Sequence, residues 1–188
     1  MDKVCVQGLG FVGAAMAAAV SGARDSHGHP WFEVVGIDLP VSSGQARIDS
    51  LNAGRFPFET LDISLNQTVK RGRDLGNLRA SADPSEFETC DIVVVDVGLD
   101  VDFATDPATA KFNDFLAAIR TLGSRIRPGR LVIIETTVPP GTVSKSVVPE
   151  LRRGLEARGI DPELFGQAFR KDLIIWGQGR SHKSFDQC

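Results

Sequence analysis

Three glycines and one aspartate are the residues whose types and spacing first suggest chemistry. In Val4-Cys5-Val6-Gln7-Gly8-Leu9-Gly10-Phe11-Val12-Gly13 an apolar run meets a glycine-rich turn, and Val34-Val35-Gly36-Ile37-Asp38 ends a second apolar run in an acid 25 residues after Gly13. Gly8 permits a tight turn, Gly10 lets bare backbone approach a diphosphate, and Gly13 lets the next helix pack closely on the sheet; each role requires the absence of a Cβ. A helix starting near Phe11 turns its first amides and its positive dipole end toward the same point, so an anion fits without a basic side chain. The pattern therefore predicts a dinucleotide-binding corner, with the acid on the adenosine ribose. A carboxylate there repels a 2′-phosphate, which favours NAD over NADP. Arg47 and Arg55 lie downstream, where solvation on a helix face is the common fate of an arginine.

The elements that must position these residues follow a βαβ rhythm. Strand-length apolar runs lie at 4–7, 32–37, 78–81, 91–97 and 131–135, and helical patterns at 11–21, 45–52, 61–73, 111–125 and 142–158, with one helical turn at 84–88. Asp91 to Val97 carries four valines and an isoleucine on successive positions, as expected of a strand covered on both faces. The apolar residues of the 111–125 helix are read as core, Thr142 as the N-cap of the last helix, and Gly159 as its stop. The expected fold is a doubly wound, Rossmann-like parallel α/β sheet in a single domain over residues 1–160, with an irregular C-terminal extension over 161–188.

Bulk properties narrow the partners. The 188 residues carry a net charge of −3 with no basic stripe, so neither nucleic acid nor an anionic membrane surface is an expected partner. The apolar runs fall far short of the ~20 residues needed to cross a bilayer, and the N-terminus lacks a signal-peptide pattern; the expected location is cytoplasmic. Cys5, Cys90 and Cys188 lack metal-ligand spacing, so no metal site is expected from them; Cys5 and Cys90 read as small buried apolar residues, and a disulfide scaffold is not expected. His27 and His29 read as a solvated loop, and His182 has no visible partner.

Four blocks resemble the N-terminal domain of the nucleotide-sugar 6-dehydrogenases, the family of UDP-glucose, GDP-mannose and UDP-N-acetylmannosamine dehydrogenases. They are Gly8 to Gly13; Gly36-Ile37-Asp38 with the later Arg47 to Glu59 stretch; Asp91 to Asp100; and Glu135-Thr136-Thr137-Val138-Pro139-Pro140-Gly141-Thr142. The last is the most specific, since the Rossmann architecture does not demand it. The resemblance implies oxidation of the sugar C6 alcohol of a UDP- or GDP-sugar to a carboxylate by two hydride transfers to NAD, through a thioester on a cysteine, in polysaccharide biosynthesis. Carried over by position, it implies cofactor binding by Gly8, Gly10, Phe11, Val12, Gly13, Asp38, Val97, Gly98 and Thr137. Catalytic roles fall to Thr137, near the nicotinamide and reacting carbon, and to Glu135 on the same strand end.

Beyond Ile160 the family's catalytic glutamate segment and Gly-Gly-x-Cys loop find no counterpart, and Cys188 lacks the setting that would activate a thiol. The expectation is a chain that binds NAD but does not complete the four-electron oxidation alone, with the nucleotide-sugar substrate engaged through a further domain. The alternative is a non-catalytic NAD-binding sensor or pseudo-enzyme partner subunit. A 2-hydroxyacid or 3-hydroxyacyl dehydrogenase would need a catalytic His or Lys from a following domain. The sequence leaves open both which sugar is used and whether a homo-oligomer forms; the apolar 173–176 segment is a candidate for association.

Overall fold

A parallel sheet buries both of its faces, so its strands must be built from β-branched and small residues and its helices must divide between two layers. The computed structural model describes residues 1–102 and 109–161. Its elements are β1 (Asp2–Gln7), α1 (Phe11–Gly22), β2 (Phe32–Ile37), α2 (Ser42–Asn52), α3 (Ile63–Asp74), β3 (Leu78–Ser81), a 3₁₀ turn (Pro84–Glu88), β4 (Ile92–Val95), β5 (Asp100–Asp102), β6 (Thr109–Lys111), α4 (Asn113–Gly123), β7 (Leu131–Ile134), a π-helical segment (Val143–Val147) and α5 (Val148–Glu156). Five strands form one parallel sheet in the order β3-β2-β1-β4-β7. The order reverses between β1 and β4, which opens a crevice at their carboxyl ends, where doubly wound folds bind ligands.

The period-2 alternation of β4 feeds two cores. Val93 and Val95 join Phe115, Ile119 and Leu122 of α4 and Leu151 and Leu155 of α5 on one face. Val94 faces the other, with Val4, Val6, Ala14, Ala17 and Ala18 of β1 and α1 and Ile48, Leu51 and Val69 of α2 and α3. The alanines of α1 let that helix lie close to the strands, which brings its N-terminus down to the crevice.

Charge clusters at the amino ends of the strands. Glu86, in the 3₁₀ turn, accepts two hydrogen bonds from the Arg79 guanidinium and one from Lys3 at 3.0 Å. Arg79 foremost, then Lys3, hold its carboxyl down at about 2 against burial. Because the folded value lies below the unfolded one, this contribution is complete above the ordinary carboxylate range and disappears as pH falls through about 2. Glu86→Gln is therefore expected to lower the unfolding free energy by about 2 kcal/mol at pH 7, a value reduced for the exposure of Arg79. Urea unfolding at stepped pH should show the gap between wild type and variant closing toward pH 2.

The structure departs from the sequence expectations in several places. The antiparallel β5–β6 pair was not anticipated. The 91–97 strand is shortened to Ile92–Val95: Asp96 N–H still donates to Gln7 O, but the amides of both Glu135 and Thr136 converge on Val95 O, which ends the ladder. Thr142 lies at the start of the last helical stretch but makes no capping bond; its backbone is already helical, and it is buried. Cys5 and Cys90 are fully buried as expected, but they are joined in a disulfide, their Cα atoms 6.0 Å apart. The adjacency of β1 and β4 supplies that approach, which a sequence separation of 85 conceals. Gly159 ends the last helix with φ +70°. The extension proposed beyond Asp161, with Cys188, His182 and the 173–176 segment, lies outside the described residues.

Candidate functional site

The corner between β1 and α1 uses its glycines as three distinct devices. Gly8 has φ +94°, and a Cβ on it would run into the Asp96 backbone. A Cβ on Gly13 would collide with the Gly8 carbonyl oxygen. Around Gly10 nothing lies within 4 Å of where a Cβ would be, so its backbone borders open space. Gly10 is also the N-cap of α1 and has no side chain to cap with; its carbonyl accepts the Ala14 amide at 2.9 Å. Among the described residues no acceptor reaches the amides of Phe11 and Val12, so two orphan donors and the positive helix end face that space. The Phe11 ring packs edge-on against Phe56, at 5.4 Å between centroids, and lies 5.7 Å from Phe58, tying the block after α2 to the corner.

Asp38, one residue beyond β2, stands across the crevice. Its carboxylate accepts from the Leu9 amide at 3.2 Å, the Leu39 amide at 2.8 Å and Arg47 Nε at 2.7 Å. The Leu9 bond locks the carboxylate to the glycine turn, and Asp38 N–H donates to Ser81 O at the end of β3. A carboxylate has about four acceptor positions, so three donors orient it while leaving room for a hydroxyl. Arg47 is thus an ion-pair partner of the acid and not a solvated helix residue, whereas Arg55 is exposed.

The third wall is the carboxyl end of β4 and β7. Thr136 is buried and its hydroxyl donates to Val97 O at 2.9 Å, so it fastens the two strand ends together. Thr137, next in the chain, is exposed, as is Gly98, and Val97 is half-buried. Glu135 is half-buried, with Oε2 enclosed and lacking a hydrogen-bond partner. Burial first, and then the neighbouring Asp96, raise its pKa. Burial also raises the pKa of Asp96, which the nearby Gly13 amide opposes.

Gly8, Gly10, Phe11, Val12, Gly13 and Asp38 therefore converge on one crevice, with Val97, Gly98, Glu135 and Thr137 on its β4–β7 side. Sequence reasoning missed Asp96, although a carboxylate closing a run of valines was a visible signal. His27 and His29 stay apart from the crevice; both amides bind Asp25, whose pKa is lowered mainly by the His29 amide. Among the described residues no group of three or more His, Cys, Asp or Glu could hold a metal ion. No helix among them is long and apolar enough to cross a membrane.

The fold agrees with what this chain is similar to. GDP-mannose 6-dehydrogenase of Azotobacter vinelandii is 30% identical over 92% of this chain and 36% of its own length. The Pseudomonas aeruginosa enzyme of that name is 31% identical over 78% of this chain and 31% of its own. Among solved structures, a ternary complex of GDP-mannose dehydrogenase from Pseudomonas aeruginosa superposes with TM-score 0.66 at 26% identity, covering 84% of this chain and 33% of that one. A UDP-glucose dehydrogenase from Pyrobaculum islandicum does so with TM-score 0.66 at 29% identity, covering 86% and 34%. The chain spans about a third of the length of these relatives. The model of the UDP-glucose/GDP-mannose dehydrogenase family, NAD binding domain, matches residues 2–165, and with the glycine corner and Asp38 in place the chain belongs to that family as its NAD-binding domain.

Proposed function

We propose that this chain is the cofactor-binding part of a nucleotide-sugar 6-dehydrogenase, oxidising the C6 alcohol of a UDP- or GDP-sugar in polysaccharide biosynthesis in the cytoplasm. The observation that carries the reading is the division of labour among Gly8, Gly10 and Gly13, with the Phe11 and Val12 amides left for a diphosphate. Asp38, aligned by Leu9, Leu39 and Arg47, holds the adenosine ribose. Val97 and Gly98 border the path toward the reacting end, where the exposed Thr137 positions a water or substrate oxygen and Glu135 assists. When bound, NAD supplies the hydride acceptor; the chain's own residues supply orientation and a place for the proton. Residues 1–160 form the NAD-binding unit and 161–188 an extension from it.

Isothermal titration of the 188-residue chain with NAD tests the reading, and the absence of binding up to millimolar ligand defeats it. Asp38→Ala is expected to weaken NAD by ~1 to 3 kcal/mol, because it removes a charge-assisted acceptor and leaves Arg47 unpaired. An unchanged affinity contradicts the ribose role.

A further inference from the structure

The Cys5–Cys90 bond joins the two strands between which the sheet order reverses. Cys5 lies in β1, which leads into Gly8, and Cys90 lies just ahead of β4. Both are fully buried. The chain between them carries α1, β2, α2, α3 and β3, and with them Gly8, Gly10, Gly13, Asp38 and Arg47. The cross-link therefore closes into one loop the half of the domain that builds the glycine corner.

One carbonyl serves both sulfurs. Glu86 O lies 3.7 Å from Cys5 Sγ and 3.1 Å from Cys90 Sγ, so when the bond is open each thiol finds an acceptor already in place and neither is buried unpaired. The same site thus suits the pair in both redox states. The 3₁₀ turn that supplies this carbonyl also closes the site off. Its Phe87 is buried, and the Thr89 hydroxyl that follows donates to Glu86 O at 3.1 Å. Lys3 Nζ donates to the Glu86 carboxylate at 3.0 Å and to Thr89 Oγ1 at 2.6 Å, and the Arg79 guanidinium holds the carboxylate by two bonds. A reductant reaches the sulfurs only after this turn lifts, and lifting it breaks charge-assisted bonds.

We propose that Cys5–Cys90 is a reversible redox site, opened by a dithiol reductant and guarded by the Glu86 clamp, whose state sets how firmly the glycine-corner half is held. One thiolate of the dithiol attacks a cysteine sulfur and forms a mixed disulfide, expelling the other cysteine as a thiolate. The second thiolate of the dithiol then displaces the remaining cysteine. Two electrons and two protons pass to the protein, which ends with two thiols, and the dithiol ends as a disulfide. Exchange with an oxidised small-molecule disulfide, such as glutathione disulfide, runs the sequence in reverse and restores the bond. In a reducing compartment a bond of this kind is a transient, redox-sensing one and not a permanent staple. Because a cross-link acts chiefly by restricting the unfolded chain, reduction lowers stability and leaves the folded crevice as it is.

Incubation of the whole chain with dithiothreitol, quenching with a thiol-alkylating reagent and peptide mapping follow the Cys5–Cys90 linkage with time. The oxidised chain is expected to yield the linked peptide pair, to unfold at a higher urea concentration than the reduced chain, and to regain the bond in glutathione disulfide. Below the unfolding transition the reduction rate should change little with urea, since a local opening exposes little surface. Glu86→Gln should raise that rate about tenfold by removing charge-assisted bonds, and Lys3→Met should raise it less. Free thiols at both positions in the oxidised sample, a urea midpoint that ignores reduction, or failure to regain the bond overturns the proposal. So does a rate that climbs steeply with urea or is unchanged in both variants, because reduction then passes through global unfolding and the clamp guards nothing. The readout is covalent, so none of these outcomes depends on whether the corner binds NAD.

Discussion

Gly13→Ala is expected to destabilise the chain by about 3 kcal/mol and to weaken NAD at least tenfold in the fraction that still folds. The added methyl would enter the space of the Gly8 carbonyl oxygen, with Asp96 Oδ2 on its other side. The closest neighbour is backbone and cannot swing aside, since Gly8 is pinned by its amide bond to Ile37 O. The helix must then lift from the strand, an overpacking strain of the kind that costs a few kcal/mol, and its amides lose their aim. Gly10→Ala makes the informative contrast. Nothing in the protein opposes a methyl at residue 10, so stability should hold within about 1 kcal/mol while NAD affinity falls, because the open space beside that backbone is where the diphosphate approaches. Urea unfolding and calorimetric titration of the two variants separate the packing glycine from the ligand glycine.

Gly154→Val is expected to cost about 3 kcal/mol by a different route. Helices α4 and α5 cross at a pair of glycines, and a Cβ on Gly154 would lie 2.8 Å from Gly123 Cα and closer still to its carbonyl. Backbone against backbone cannot yield locally, so α5 must move away from α4. The core then loses contact among Phe115, Ile119 and Leu122 on one helix and Leu151 and Leu155 on the other. These residues lie on the sheet face opposite α1, so the NAD affinity of the folded fraction should match wild type. A variant that unfolds at the wild-type urea concentration would show that the helices do not meet there.

Much of the architecture was legible because it rests on local periodicity. The 3.6-residue pattern of Phe115, Ile119 and Leu122 and the unbroken apolar run of β4 each admit one reading, and the 32–37 and 78–81 strands fell where their composition placed them. The glycine corner was legible for a related reason, since positive φ and close backbone approach leave few alternatives to glycine. What stayed hidden depends on distant chain segments. Arg47 reads as a surface residue until the turn after β2 folds Asp38 back against it, the two threonines at 136 and 137 look alike until one hydroxyl reaches Val97 O, and the Cys5–Cys90 bond needs β1 beside β4.

The ionic cluster of Lys3, Arg79, Glu86 and Glu33 has two charges of each sign and occupies the opposite rim of the sheet from the crevice. Lys3 and Gln7 are four strand residues apart, roughly 13 Å at the usual rise, beyond the ~8 Å over which surface charges sense one another at physiological salt. The sheet thus behaves as a bar with two electrically independent poles. Anchorage of the scaffold at one pole can be tuned by mutation or acid without disturbing how the other pole responds to its nucleotide.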